Sequence, residues 1–140
     1  MVEQVGYCVS NNKQEVQDLR ILIVDDEPFS RELVACMLEN EGRQIDVAEN
    51  GLEALLLLTQ DRYSLVLVDY HMPVMDGCTL ARMIRGNSAM INFEVPIIAL
   101  TATVDASTVA DCKSAGMNDC LAKPLSQNEL EEMLKRWVPR

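Results

Sequence analysis

Six polar residues stand directly behind apolar runs, and their types suit the handling of phosphate. Asp25, Asp26 and Glu27 follow Ile21–Val24. Asp69 follows Leu65–Val68, Thr101 follows the apolar segment 95–100, and Lys123 with Pro124 follows the short segment 119–122. Clustered carboxylates repel one another and need a cation. A site of oxygen ligands favours a hard ion such as Mg²⁺, which binds through one or two carboxylates together with waters and phosphate oxygens. Asp25, Asp26 and Asp69 carry three negative charges when ionised, which a doubly charged cation and Lys123 together offset. An aspartate can act as a covalent nucleophile toward a phosphoryl group. A metal, a lysine and a hydroxyl can then hold the phosphoryl oxygens while charge redistributes.

Each residue also has a plainer reading. Asp25 and Asp26 could cap a helix at its positive end. Asp69 could be a turn aspartate, Thr101 an ordinary strand-end threonine and Lys123 a solvated loop lysine. Their joint occurrence behind four of the five apolar runs favours a shared site.

The elements that must position these residues alternate in kind. Ile21–Val24, 44–48, Leu65–Val68, 95–100 and 119–122 read as short apolar strands. Between them lie helical patterns. Residues 28–41 carry Phe29, Leu33, Val34, Met37 and Leu38, with Pro28 at the start and Gly42 as the stop. Asn50 caps a Leu-rich helix over 52–59. Asp76 or Gly77 opens a helix with Leu80, Met83 and Ile84 on one face. Residues 86–94 form a long polar connection. A helix over 106–115 stops at Gly116. Ser126 and Glu129 form a capping box, stapled by Leu125 and Leu130, for a last helix ending near Trp137. Uninterrupted apolar strands between amphipathic helices imply an α/β fold with a parallel sheet covered on both faces. Ligands bind such sheets at the C-terminal ends of the strands, where the six residues fall.

Composition excludes other classes. The chain has 140 residues, 49% hydrophobic and 24% charged, which fits one folded domain. A net charge of −10 repels nucleic-acid backbones and anionic lipid, so neither nucleic acid nor direct membrane contact is expected. Five cysteines (Cys8, Cys36, Cys78, Cys112 and Cys120) with irregular spacing and no C-x-x-C read as reduced, small hydrophobes. His71 is the single histidine, too few for a Cys/His metal site. No stretch approaches the ~20 apolar residues of a membrane span, and no signal peptide is evident. The expected location is the cytoplasm. Residues 1–18 read as a linker or lead-in segment, and 19–138 as the folded domain.

Four stretches resemble the receiver (response-regulator) family of two-component signalling. They are Ile21-Leu-Ile-Val-Asp-Asp-Glu-Pro28, Leu65-Val-Leu-Val-Asp-Tyr-His-Met-Pro-Val-Met-Asp-Gly77, Ile97-Ile-Ala-Leu-Thr-Ala102 and Gly116-Met-Asn-Asp-Cys-Leu-Ala-Lys-Pro-Leu125. The resemblance covers the chain from about Arg20 to Trp137. It implies a flavodoxin-like, doubly wound (βα)5 fold with strand order 2-1-3-4-5. It implies that Asp69 takes a phosphoryl group from a phosphohistidine on a histidine kinase or histidine phosphotransfer domain. Asp26 and Asp69 would ligate Mg²⁺, with Asp25 helping partly through water and His71 through its backbone carbonyl. Thr101 and Lys123 would touch the phosphoryl oxygens.

One position departs from the family pattern. Receivers usually carry Tyr or Phe three residues before the active lysine, and that ring turns when the threonine moves. Here the position holds Cys120, so a ring-based switch is not expected there.

Three rivals remain distinct in sequence terms. A haloacid-dehalogenase-type phosphatase wants D-x-D after its first strand, whereas Asp25 and Asp26 are adjacent and His71 stands two after Asp69. A flavin-binding module wants a Gly- or Ser/Thr-rich phosphate loop after the first strand. A pseudo-receiver would have lost the acidic cluster. Within the receiver reading, the wording of 72–77 and 97–102 resembles hybrid histidine kinases more than stand-alone single-domain regulators. As an isolated domain the expected chemistry is its own phosphorylation and dephosphorylation.

Overall fold

The computed structural model describes residues 19–39 and 43–138. Five strands and five helices alternate: β1 (Leu19–Val24), α1 (Pro28–Leu38), β2 (Arg43–Ala48), α2 (Gly51–Gln60), β3 (Leu65–Asp69), α3 (Gly77–Arg85), β4 (Ile97–Thr101), α4 (Ala106–Ala115), β5 (Asp119–Ala122) and α5 (Gln127–Trp137). The strands form one parallel sheet in the order β2-β1-β3-β4-β5. This is the flavodoxin-like arrangement that the sequence implied.

Alternation along each strand assigns its side chains to two cores. Leu22, Val24, Val66, Val68, Ile97 and Ala99 pack with Ala54, Leu58, Leu80, Ile84 and Cys112 of α2, α3 and α4. Ile21, Ile23, Leu65, Leu67, Ile98 and Leu100 pack with Val34, Leu38, Leu130 and Met133 of α1 and α5. Both faces of the central strands are therefore dry, which is why those strands are apolar throughout. The strand order reverses between β1 and β3, opening a crevice at their C-terminal ends.

Several boundaries and faces differ from expectation. β4 begins at Ile97, not at residue 95, since Pro96 has no N–H to give to the ladder. Asp69 and Thr101 are the last residues of their strands rather than the first beyond them. α1 ends at Leu38, its last buried residue, and the polar Glu39 that follows is exposed. Gly42, Cys8 and the proposed linker 1–18 lie outside the described residues. Phe29, Leu33 and Met83, which helical spacing groups with the apolar positions of their helices, are exposed, at 74%, 50% and 45%. In α1 the buried positions are Val34 and Leu38, so Phe29 and Leu33 form a second, outward face.

The capping expectations hold. Asn50 accepts from Glu53 N–H, Asp76 from Thr79 N–H, and Ser126 with Glu129 closes the capping box. Gly116 ends α4 at φ 95°, a left-handed conformation that glycine adopts without strain.

The polar connection 86–94 is anchored at the end of the sheet away from the crevice. Asn92 is 2% exposed; it accepts from Tyr63 N–H and donates to the carbonyls of Leu58 and Asp61. Arg85 donates to the carbonyls of Phe93 and Gly116 and to Asn118 Oδ1, joining the α3–β4 and α4–β5 connections with one guanidinium.

Candidate active site

The parallel register brings the ends of β1, β3, β4 and β5 to one edge. Asp25, at the end of β1, is fully buried. Its backbone N–H donates to Ala48 O, and its Oδ1 accepts from Glu27 N–H at 3.0 Å. Its Oδ2 accepts from Ser30 Oγ at 2.7 Å and lies 3.7 Å from Lys123 Nζ. Asp26 is exposed beside it. Glu27, rather than either aspartate, caps α1, its Oε1 accepting from Ser30 N–H. The plainer reading of Asp25 and Asp26 as caps is thereby excluded.

Asp69 ends β3 and is 9% exposed. Lys123 Nζ stands 3.3 Å from Asp69 Oδ1. Burial pushes the Asp69 carboxyl above its usual value; Lys123 opposes this and Asp25 reinforces it. Gly77 secures the approach of α3 to this strand. A Cβ there would sit 2.8 Å from Asp69 O, and Gly77 N–H donates to Tyr70 O.

Carboxylate oxygens of Asp25, Asp26 and Asp69 lie within 4.8 Å of one another. Three hard donors at that spacing, one exposed, fit a small divalent cation reached from solvent. Among the described residues Lys123 is the one cation paired with the cluster, facing Asp25 and Asp69, so charge there is under-compensated. Thr101, at the end of β4, is 3% exposed. Its hydroxyl is satisfied within its own turn, donating to Thr103 O at 3.1 Å and accepting from Thr103 N–H at 3.3 Å. Lys123 N–H donates to Thr101 O, tying β5 to β4 beside the crevice. The Lys123–Pro124 bond is cis. The exposed His71 ring packs edge-on against Tyr70, with centroids 4.7 Å apart.

Three features of the site were missed by sequence reasoning. The first is Ser30, whose hydroxyl holds Asp25; its place in the first turn of α1, four residues beyond the acidic pair, was the available signal. The second is Tyr70, whose phenol donates to Asp111 Oδ2 at 2.9 Å and links the residue after Asp69 to α4. That bond raises the Tyr70 phenol to about 12. The third is an apolar groove lined by Phe29, Leu33, Met37, Pro124 and Leu125, with Ser30 and Lys123 in its wall.

Cys120 lies half-buried in β5 against the core that holds Cys78 and Cys112. Burial pushes the Cys112 thiol up to about 12, which suppresses thiolate and redox reactivity. Cys36, by contrast, is exposed on α1.

Fold and site together define the class: a doubly wound α/β domain with a carboxylate cluster at its topological switch point. A family model described as the response regulator receiver domain matches residues 21–135, and the chain belongs to that family. Sensor histidine kinase RcsC of Escherichia coli K12 is 35% identical over 133 residues, 95% of this chain and 13% of RcsC. Sensor protein GacS of Pseudomonas syringae is 37% identical over 120 residues, 85% of this chain and 13% of GacS. The chain thus spans a small part of the curated relatives it matches. The solved receiver domain of sensor histidine kinase PA1611 from Pseudomonas aeruginosa PAO1, with a magnesium ion coordinated in its active site cleft, superposes with TM-score 0.78. It is 36% identical, over 87% of this chain and 98% of that one. Chemotaxis protein CheY4 of Vibrio cholerae gives TM-score 0.78 at 29% identity, over 85% and 98%. Among the described residues, no helix is long and apolar enough to cross a membrane.

Proposed function

We propose that this chain is the phosphoacceptor receiver of a hybrid sensor histidine kinase, with Asp69 as the acceptor and Mg²⁺ as the cofactor. The observation that carries the reading is Asp69 itself: a carboxylate at the switch point, contacted by Lys123 and clustered with Asp25 and Asp26. An Asp69 oxygen attacks phosphorus, the O–P bond forms, and the N–P bond of a partner's phosphohistidine breaks, leaving the imidazole with the electron pair. Asp26, Asp69 and the His71 carbonyl would hold Mg²⁺, with Asp25 helping partly through water, and the ion would supply positive charge to the phosphoryl oxygens. Lys123 neutralises a further oxygen. Thr101 turns its hydroxyl from Thr103 to the remaining one. Asp25 remains hydrogen-bonded behind the cluster and completes its charge.

The groove beside Lys123 gives a partner its footing. A donor histidine in contact with Asp69 must bring its own surface over Phe29 and Leu33, whose apolar side chains would exclude water from the transfer. The hybrid-kinase setting rests on the likeness to RcsC, GacS and PA1611 and on the negative charge of the chain, which disfavours nucleic-acid output.

Acetyl phosphate with Mg²⁺ should label the chain once, seen by intact mass, and Asp69→Asn should abolish the label without unfolding the domain. Asp26→Ala should weaken Mg²⁺ binding most among acidic changes outside Asp69, and excess chelator should stop labelling. Undiminished labelling of the Asp69→Asn variant would refute the assignment.

A further inference from the structure

Asp25 is the one member of the acidic cluster that no solvent reaches, so its orientation depends on what the fold supplies. A carboxylate rotates readily about its terminal torsion, which has broad, roughly two-fold minima. A single hydrogen bond to Oδ1, from Glu27 N–H, leaves that rotation soft. The shortest contact to the group is on the other oxygen, from Ser30 Oγ at 2.7 Å. Lys123 reaches the same oxygen only at 3.7 Å and is nearer to Asp69, at 3.3 Å. Ser30 is itself fixed, because its backbone N–H is held by the Glu27 cap in the first turn of α1. Arg31 adds a bond to the Asp25 carbonyl, which holds the main chain but not the carboxylate.

We infer that Ser30 is a positioning residue for the cation site, acting through Asp25. The inference rests on the Mg²⁺ reading proposed above. Two anchored donors, one on each oxygen, set the plane of a buried carboxylate next to Asp26 and Asp69. The cluster is then assembled before a cation arrives, and binding does not have to order it. Groups that orient a metal's neighbours in this way typically change affinity by about 10–100-fold when removed. Water entering from the groove would replace the lost bond but not its direction, so the effect of removing this hydroxyl belongs at the lower end.

The test compares wild type, Ser30→Ala and Ser30→Thr in the full chain. Mg²⁺ affinity is measured by calorimetry, and melting temperature is followed with and without the ion. Ser30→Ala should bind Mg²⁺ about tenfold more weakly, and Ser30→Thr, which keeps the hydroxyl, should recover most of the loss. The melting-temperature rise on adding Mg²⁺ should shrink in the alanine variant, because ligand stabilisation follows affinity. A purely structural role would lower the melting temperature equally in both conditions and leave affinity untouched. Wild-type affinity in Ser30→Ala, or a threonine variant as weak as alanine, overturns the positioning role while leaving the Mg²⁺ reading intact. A wild-type chain that takes up no Mg²⁺ overturns both.

Discussion

Val74 sits at φ 71°, the one non-glycine residue with positive φ among those described, in the loop between β3 and α3. Met75 N–H donates to Pro73 O at 2.7 Å, so the three residues close a γ-turn whose central residue is in its strained, positive-φ form. For a β-branched residue this conformation is an outlier, and such positions cost about 1–3 kcal/mol. The Val74 side chain is 93% exposed, so its removal forfeits almost no burial. Glycine adopts the turn freely but has a more mobile unfolded chain, which offsets about 0.5–1 kcal/mol. Central values leave the strain ahead by about 1 kcal/mol, and Val74→Gly should stabilise the domain by about that amount. That corresponds to a melting-temperature rise of roughly 3–5 °C for a domain of this size. Urea unfolding should show a higher midpoint with an unchanged slope, since the buried surface is the same. Val74→Asn should lie between the two, as asparagine tolerates the left-handed region better than valine. A Val74→Gly midpoint at or below wild type, with equal slopes, would show that the turn stores no strain.

The raised Asp69 carboxyl sets a sign for pH. Its folded value exceeds the unfolded one, so its contribution to stability is fully present below about pH 4 and is lost as pH rises through the folded value. In metal-free buffer, Asp69→Asn should gain stability relative to wild type from pH 4 toward pH 7; a flat or opposite difference would contradict the burial argument. Beryllofluoride, standing in for the aspartyl phosphate, should move amide resonances most at 69–72 and 101–105 and less at 119–121, because Cys120 has no ring to turn. Largest shifts in β5 would reverse that conclusion.

The fold was legible because each central strand is apolar on both faces, and because Asn50, Asp76, Gly116 and Ser126 mark helix ends by local chemistry. The site was legible because strand ends converge in any doubly wound sheet, so Asp25, Asp69, Thr101 and Lys123 could be joined without coordinates of any one of them. What stayed hidden depends on facing. Helical spacing places Phe29, Leu33, Val34 and Leu38 close together, but only packing against β1 and β3 decides which pair is buried. Tyr70 follows Asp69 in sequence, yet its partner Asp111 lies a whole strand and helix away, and no local pattern predicts their hydrogen bond. Val74 carries no turn signature, since valine is the residue type least suited to its backbone.

The hydroxyl of Thr101 is occupied at rest by two bonds to Thr103, neither of them short. Turning it toward a phosphoryl group exchanges these for others instead of creating contacts from nothing. Neutral hydrogen bonds contribute about 0.5–1.5 kcal/mol each on balance. Releasing this pair without phosphate therefore costs on the order of 1–3 kcal/mol. A gap of that size leaves the turned form populated at roughly 1–15% of molecules before any donor arrives. On the proposed role of Thr101 the domain would have a built-in background: a partner that reads the turned form would gain at most about ten- to a hundredfold between silence and signal. Strengthening the resting turn would deepen the silence and slow the response by the same free energy.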